Sequence, residues 1–175
     1  GASRALKNGS NLARAIEMTA DLRMRTKVPI ILFSYYNPLF TYGADAFYCD
    51  ALAAGADGVL VVDLPFEESR ELTDRWGKTK EEFPLIRLVA PTTTTERMKT
   101  IARNSSGFLY LISKVGVTGG GGLDPEDIRR RATTLRSVTK LPLCAGFGIT
   151  TPADAALLAP YVDGVVIGSA FEQTI

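Results

Sequence analysis

Short, solid apolar runs alternate along this chain with longer stretches whose apolar positions recur at helical spacing. Six runs read as strands, at residues 28–33, 58–62, 85–89, 108–112, 141–145 and 163–167. The stretches between them read as helices. Ser10 is placed to cap a helix running to about residue 25, with Leu12, Ala15, Ile16, Thr19 and Leu22 on its apolar side. Residues 34–38 read as a loop, 43–54 as a helix stopped by Gly55, and 66–80 as a charged helix. Thr92 to Glu96 has the composition of a capping box opening a helix to about residue 104. Asp124 with Pro125, and Thr151 with Pro152, each combine an N-cap with a proline in the first helical position. A last helical turn follows Gly168-Ser169-Ala170. Because no run alternates polar with apolar, the strands are predicted to form a parallel sheet covered by helices, an α/β fold.

Composition narrows the chemistry. The chain has 175 residues, fewer than the roughly 250 of a complete eight-stranded barrel, and with 46% hydrophobic residues it has ample material for a core. A net charge of +1 supplies no field for nucleic acid or an anionic membrane. No apolar run is long enough to span a bilayer, and no signal-peptide pattern opens the chain, so a cytoplasmic or stromal protein is expected. Histidine is absent, which excludes His-activated nucleophiles and His-ligated metals within these residues. Cys49 and Cys144 sit in apolar segments and are expected to be inert buried thiols, not a disulfide or a metal site. Neither a metal nor a cofactor is expected. With no linker or composition break, residues 1–175 read as one domain.

Parallel α/β folds bind ligands at the carboxyl ends of their strands. In this chain those ends carry Tyr35 to Asn37, Asp63, Pro91, then Ser113 to Gly122, Gly146 to Gly148, and Gly168 with Ser169. The glycines concentrate on the last three. Glycine lets backbone N–H groups approach an anion, and the following helix adds its positive end, so these turns can form a phosphate cradle without Lys or Arg. Three ordinary tight turns would have the same composition. Their order favours the cradle, since barrels commonly build a phosphate site after strands seven and eight, whereas a doubly wound fold places its glycines after the first strand. The six strands then count as strands three to eight of a TIM (β/α)8 barrel, with two more expected ahead of Gly1. Gly119 to Gly122 suits either a closing lid or a plain surface loop. Asp63 is the lone strand-end carboxylate, and capping the next helix is as good a reading as a functional one. Tyr110, Phe33, Tyr35, Leu60 and Val62 can wall an aromatic ligand or simply fill the core.

The strings Tyr110-Leu111-Ile112-Ser113, Gly116-Val117-Thr118-Gly119, Gly146-Phe147-Gly148-Ile149 and Ile167-Gly168-Ser169-Ala170, in this order, closely resemble the tryptophan synthase α subunit family. Arg4-Ala5-Leu6, Tyr35-Tyr36-Asn37-Pro38 and Val62-Asp63-Leu64-Pro65 add to the likeness, which spans the chain. The resemblance implies a carbon–carbon lyase that splits indole-3-glycerol phosphate into indole and glyceraldehyde 3-phosphate by a retro-aldol reaction without a cofactor. It implies phosphate binding at Thr118, Gly119, Gly146, Phe147, Gly148, Ile149, Gly168 and Ser169. It also implies an indole pocket of Phe33, Tyr35, Leu60, Val62 and Tyr110, a partner-facing Asp63, and a β subunit that consumes the indole. The family's two catalytic carboxylates precede the position matching Gly1, so no catalytic residue is expected within this chain, and these residues alone are expected not to turn over substrate. A free-standing indole-releasing lyase and an inactive phosphate-binding barrel are the alternatives.

Overall fold

A computed structural model describes residues 7, 9–76, 83–113 and 123–174, apart from the side chains of Glu71 and Arg75. Contacts cluster into two compact units, Gly1–Ile86 and Arg87–Ile175.

The first unit opens with helix α1 (Leu12–Arg23) and strand β1 (Ile31–Ser34). Helix α1 is capped by Asn11, whose side chain accepts from the Arg14 amide, and not by Ser10 as the sequence suggested. Strand β1 starts at Ile31 because Pro29 has no N–H to pair and the Ile30 amide donates to Asp57 at 2.7 Å. Residues 34–38 do not form a loop. Tyr36–Tyr42 is helix α2, with Pro38 in its first turn, where a missing N–H costs nothing. Gly43, at φ +96°, breaks the chain between α2 and helix α3 (Ala44–Ala53). Strand β2 (Gly58–Val61) pairs in parallel with β1, aligning Phe33 with Leu60. Helix α4 (Ser69–Arg75) is shorter than the predicted 66–80, of which 77–80 lie outside the described residues.

The core of this unit lies between strands and helices. Leu32, Val59 and Val61 belong to a buried cluster with Leu39, Phe47, Ala51, Leu72, Trp76 and Phe83. Trp76 stacks on Tyr48 with centroids 5.6 Å apart, meets Phe83 edge-on, and donates its indole N–H to the Ala44 carbonyl at 3.1 Å, so its one polar atom is satisfied. Phe33 and Leu60, one residue out of phase, stay outside that cluster and share the opposite face.

Strand β3 (Leu85–Val89) spans the boundary; Leu85 and Ile86 pair with β2, and residues 87–89 pair with strand β4 (Leu109–Ile112). Helix α5 (Thr95–Arg103) is capped by the Thr94 hydroxyl accepting from Arg97 N–H. The expected capping box does not form, because the Thr93 hydroxyl instead accepts from the Ala90 amide at 3.0 Å. Helix α6 (Pro125–Arg136) starts on Asp124 as the sequence indicated. Strand β5 (Leu143–Gly146) begins after Pro142, helix α7 (Pro152–Leu158) carries a full Thr151/Asp154 capping box, and strand β6 (Gly164–Val166) leads into the single turn of α8 (Ser169–Glu172). Every pair is parallel, and the hydrogen-bonded order is β1-β2-β3-β4-β5-β6, with each strand beside its sequence neighbours. A doubly wound sheet reverses direction at a switch point; an uninterrupted sequential order is barrel topology. No helix among the described residues is long and apolar enough to cross a membrane.

Candidate functional site

The parallel register fixes where the late glycine turns stand. Gly146 is aligned with Val166, so Phe147-Gly148 and Ile167-Gly168 leave adjacent strands on the same rim, the carboxyl one. Phe147 and Gly148 both have positive φ, +74° and +78°. A non-glycine residue held in this region is in a strained position. Gly168 opens α8 with nothing within 4 Å of the place a Cβ would occupy.

Gly146 is glycine for a different reason. A Cβ on it would lie 1.9 Å from the Tyr110 hydroxyl oxygen and 2.5 Å from Cζ. Tyr110 is 3% exposed, stands in register with Leu88 and Cys144, and meets the Phe147 ring edge-on at 5.8 Å. Its hydroxyl therefore reaches up the sheet to the foot of the turn. Burial, with a smaller contribution from Cys144, pushes that phenol up to about 12, so it is a neutral donor at any working pH.

Beneath the turn lies Ser113. Its amide donates to the Gly146 carbonyl at 2.7 Å, and its hydroxyl lies 2.5 Å from that same oxygen and also against the Phe147 carbonyl. Strand β4 is anchored at this point by Arg131, whose side chain is wholly buried. Its guanidinium donates to Asp127 at 2.8 Å, to the Val89 carbonyl at 3.0 Å and to the Ile112 carbonyl at 2.8 Å, tying together the ends of β3 and β4. Burial lowers its pKa and Asp127 opposes the shift. From the sequence Ser113 was named only as the start of a strand-end stretch and as part of a family string, without a role, and Arg131 was not named. Arg131 carries a signal of its own, since it follows Ile128 by three residues and so shares the buried face of α6.

The remaining expected residues fall as follows. Ile149 is buried below the turn and Ser169 begins α8. Thr118 and Gly119, with the whole glycine run, lie outside the described residues. In the first unit Leu60 is 1% exposed and Val62 half-buried, whereas Phe33 and Tyr35 are 55% and 59% exposed. Asp63 accepts from the Tyr36 amide at 2.6 Å, so it caps α2 across the strand ends and not the following helix. Cys49 is exposed and Cys144 half-buried, so the expectation of two buried thiols fails for Cys49, which α3 turns to solvent. Among the described residues no cluster of His, Cys, Asp or Glu could hold a metal ion.

Sequential parallel strands alternating with helices, with glycine-rich turns on the last two, define a (β/α) barrel fold. The family described as "Tryptophan synthase alpha chain" matches residues 1–175, and the chain belongs to it. The tryptophan synthase α chain of Desulfatibacillum aliphaticivorans is 55% identical over 172 residues, covering 98% of this chain and 64% of that protein. The solved α subunit from Campylobacter jejuni superposes with a TM-score of 0.82 at 32% identity, covering 95% of this chain and 65% of that one. A chain from the Pyrococcus furiosus tryptophan synthase α2β2 complex gives 0.80 at 33%, covering 98% and 67%. The fold is thus that of a (β/α)8 barrel, of which this chain is an incomplete part, and the chain spans about 64% of the length of the curated relatives it matches.

Proposed function

We propose that the protein to which these residues belong cleaves indole-3-glycerol phosphate to indole and glyceraldehyde 3-phosphate in tryptophan biosynthesis, as a single cytoplasmic barrel domain acting with a β subunit. Membership of the tryptophan synthase α chain family supports the reaction, and the Pyrococcus furiosus α2β2 complex supports the partner. The observation that carries the reading is the left-handed Phe147-Gly148 turn beside Gly168 on the carboxyl rim, over the neutral Tyr110 hydroxyl. Main-chain amides of Gly146 to Ile149, Gly168 and Ser169 hold the phosphate, and the family resemblance adds Thr118 and Gly119. Phe33, Tyr35, Leu60, Val62 and Tyr110 serve the indole.

Retro-aldol cleavage needs an acid to protonate indole C3 and a base to take the proton of the C3′ hydroxyl. Asp63 is engaged at the α2 terminus, and we assign it neither role; on the family resemblance neither the acid nor the base is among these residues. What these residues supply is anchorage: binding energy at the phosphate holds the reacting end in place. The test is indole release by the full-length protein, with and without a β subunit. Turnover that rises with the β subunit is expected, and no turnover from the isolated 175 residues. Indole release by the isolated residues, or none by the full-length protein in the presence of a β subunit, would refute the proposal.

A further inference from the structure

The turn that holds the ligand is itself held. A trans peptide is planar, with its C=O and N–H on opposite sides, so fixing a carbonyl fixes the direction of the N–H that follows it. Ser113 does this twice. The Gly146 carbonyl accepts from the Ser113 amide at 2.7 Å and lies 2.5 Å from the Ser113 hydroxyl, and the Phe147 carbonyl touches the same hydroxyl. Those two carbonyls belong to the peptides whose N–H groups are on Phe147 and Gly148. Among the described residues no backbone acceptor takes either N–H. Ser113 is buried, and the residue before it is locked through its carbonyl by Arg131, so the hydroxyl has a fixed base from which to act.

We propose that Ser113 is a positioning residue: its hydroxyl, grounded by the grip of Arg131 on β4, aims the Phe147 and Gly148 amides at a phosphate monoester. The inference rests on the reading of this turn as a phosphate site. It adds a named cause for the left-handed pair. Phe147 in particular is kept at φ +74° although its Cβ disfavours that region, and the clamp on both flanking carbonyls offsets that strain.

The experiment uses 15N-labelled full-length protein titrated with glycerol 3-phosphate and, separately, with indole, which carries no phosphate. In the unaltered protein, glycerol 3-phosphate moves the Phe147 and Gly148 amide proton resonances downfield and indole leaves them in place. Ser113→Ala weakens glycerol 3-phosphate by about tenfold, the scale of one lost hydrogen bond, and leaves indole affinity within about twofold. Ser113→Thr, which keeps the hydroxyl, restores phosphate affinity. Equal losses for both ligands in Ser113→Ala, or no loss for either, would overturn the inference. Should Ser113→Ala not fold, the unaltered protein still decides: saturation with glycerol 3-phosphate without movement of the Gly148 amide sinks the idea. If the unaltered full-length protein binds no glycerol 3-phosphate at all, it is the phosphate reading itself that falls.

Discussion

Replacing Gly146 by Ala adds a single methyl group where the Tyr110 hydroxyl already stands. The new Cβ would lie 1.9 Å from Oη, 2.5 Å from Cζ and 3.0 Å from the Val166 Cβ, against an ordinary contact beginning at 3.4 Å. The ring tip must therefore retreat by 3.4 − 1.9 = 1.5 Å. Tyr110 is only 3% exposed, so the ring has no open space to retreat into and the sheet has to yield. Overpacking of this kind costs about 1–3 kcal/mol, and the size of the displacement puts Gly146→Ala near about 3. Tyr110→Leu removes the ring and leaves a cavity costing about 2–4 kcal/mol by itself. In the double variant the methyl group occupies part of the vacated space. Urea unfolding of the four proteins gives the coupling, expected to favour the pair by more than about 1 kcal/mol. Additivity to within about 0.5 kcal/mol would mean that Tyr110 does not enforce glycine at position 146. The same Gly146→Ala variant is expected to weaken glycerol 3-phosphate, because the amides of Phe147 and Gly148 are carried on the strand end that moves.

Arg131→Met is expected to cost about 3 kcal/mol or more in urea unfolding, since it strips the Val89 and Ile112 carbonyls of a buried donor and leaves Asp127 with Arg130 alone; a loss below about 1 kcal/mol would show that water replaces the guanidinium. Asp163 takes the Leu143 amide at 2.7 Å while Arg136 pairs with it at the surface. Asp163→Ala therefore costs about 1–3 kcal/mol and Arg136→Ala below about 1; high salt nearly abolishes the Arg136 loss but leaves most of the Asp163 loss, the part from the Leu143 amide, and the reverse order would refute this. Backbone N–H groups of Thr150 and Thr151 hold the Asp154 carboxyl down at about 2, against an ordinary 3.8. A depressed carboxylate contributes above its unfolded pKa and loses that contribution as pH falls through the folded one. The start of α7 is accordingly expected to loosen between about pH 3.8 and 2, followed by NMR titration of the carboxyl, and Asp154→Asn should remove the transition.

The strand count, the parallel sheet and the sites of Asp124 and Thr151 were legible because each rests on local chemistry: a solid apolar run, a capping side chain, a proline in the first turn. Strand starts were misread where proline interrupts an apolar run, at Pro29 and Pro142, since hydropathy does not register a missing N–H. Helix α2 was missed because Tyr35-Tyr36-Asn37-Pro38 reads locally as a turn, and the group that makes it a helix, the Asp63 carboxylate, arrives from 27 residues away. The glycine turns were visible as composition, but why Gly146 must be glycine depends on Tyr110, thirty-six residues earlier in the chain and in the neighbouring strand. The role of Ser113 was not legible for the same reason. Its partners are 33 and 34 residues away, and an isolated serine at a strand end has no pattern.

One regularity was legible and passed over. Leu22-Arg23 with Thr26-Lys27 and Pro29 returns as Leu135-Arg136 with Thr139-Lys140 and Pro142, and Asp57-Gly58-Val59 returns as Asp163-Gly164-Val165. In each case the arginine ends a helix and pairs with the aspartate. The aspartate in turn accepts from the backbone amide of Ile30 or Leu143, beside the neighbouring strand. The strand starts thus keep one device in both units. The strand tops do not. In the first unit the top of β2 carries Asp63, whose carboxylate takes the Tyr36 amide across the strand ends. Counted from the repeated aspartates, that position in the second unit is Ser169, a neutral residue beside the open Gly168. A carboxylate built into the chain satisfies the amide in one unit; the neutral side chain at the matching position of the other supplies no such carboxylate, and this contrast favours the second unit for the proposed phosphate.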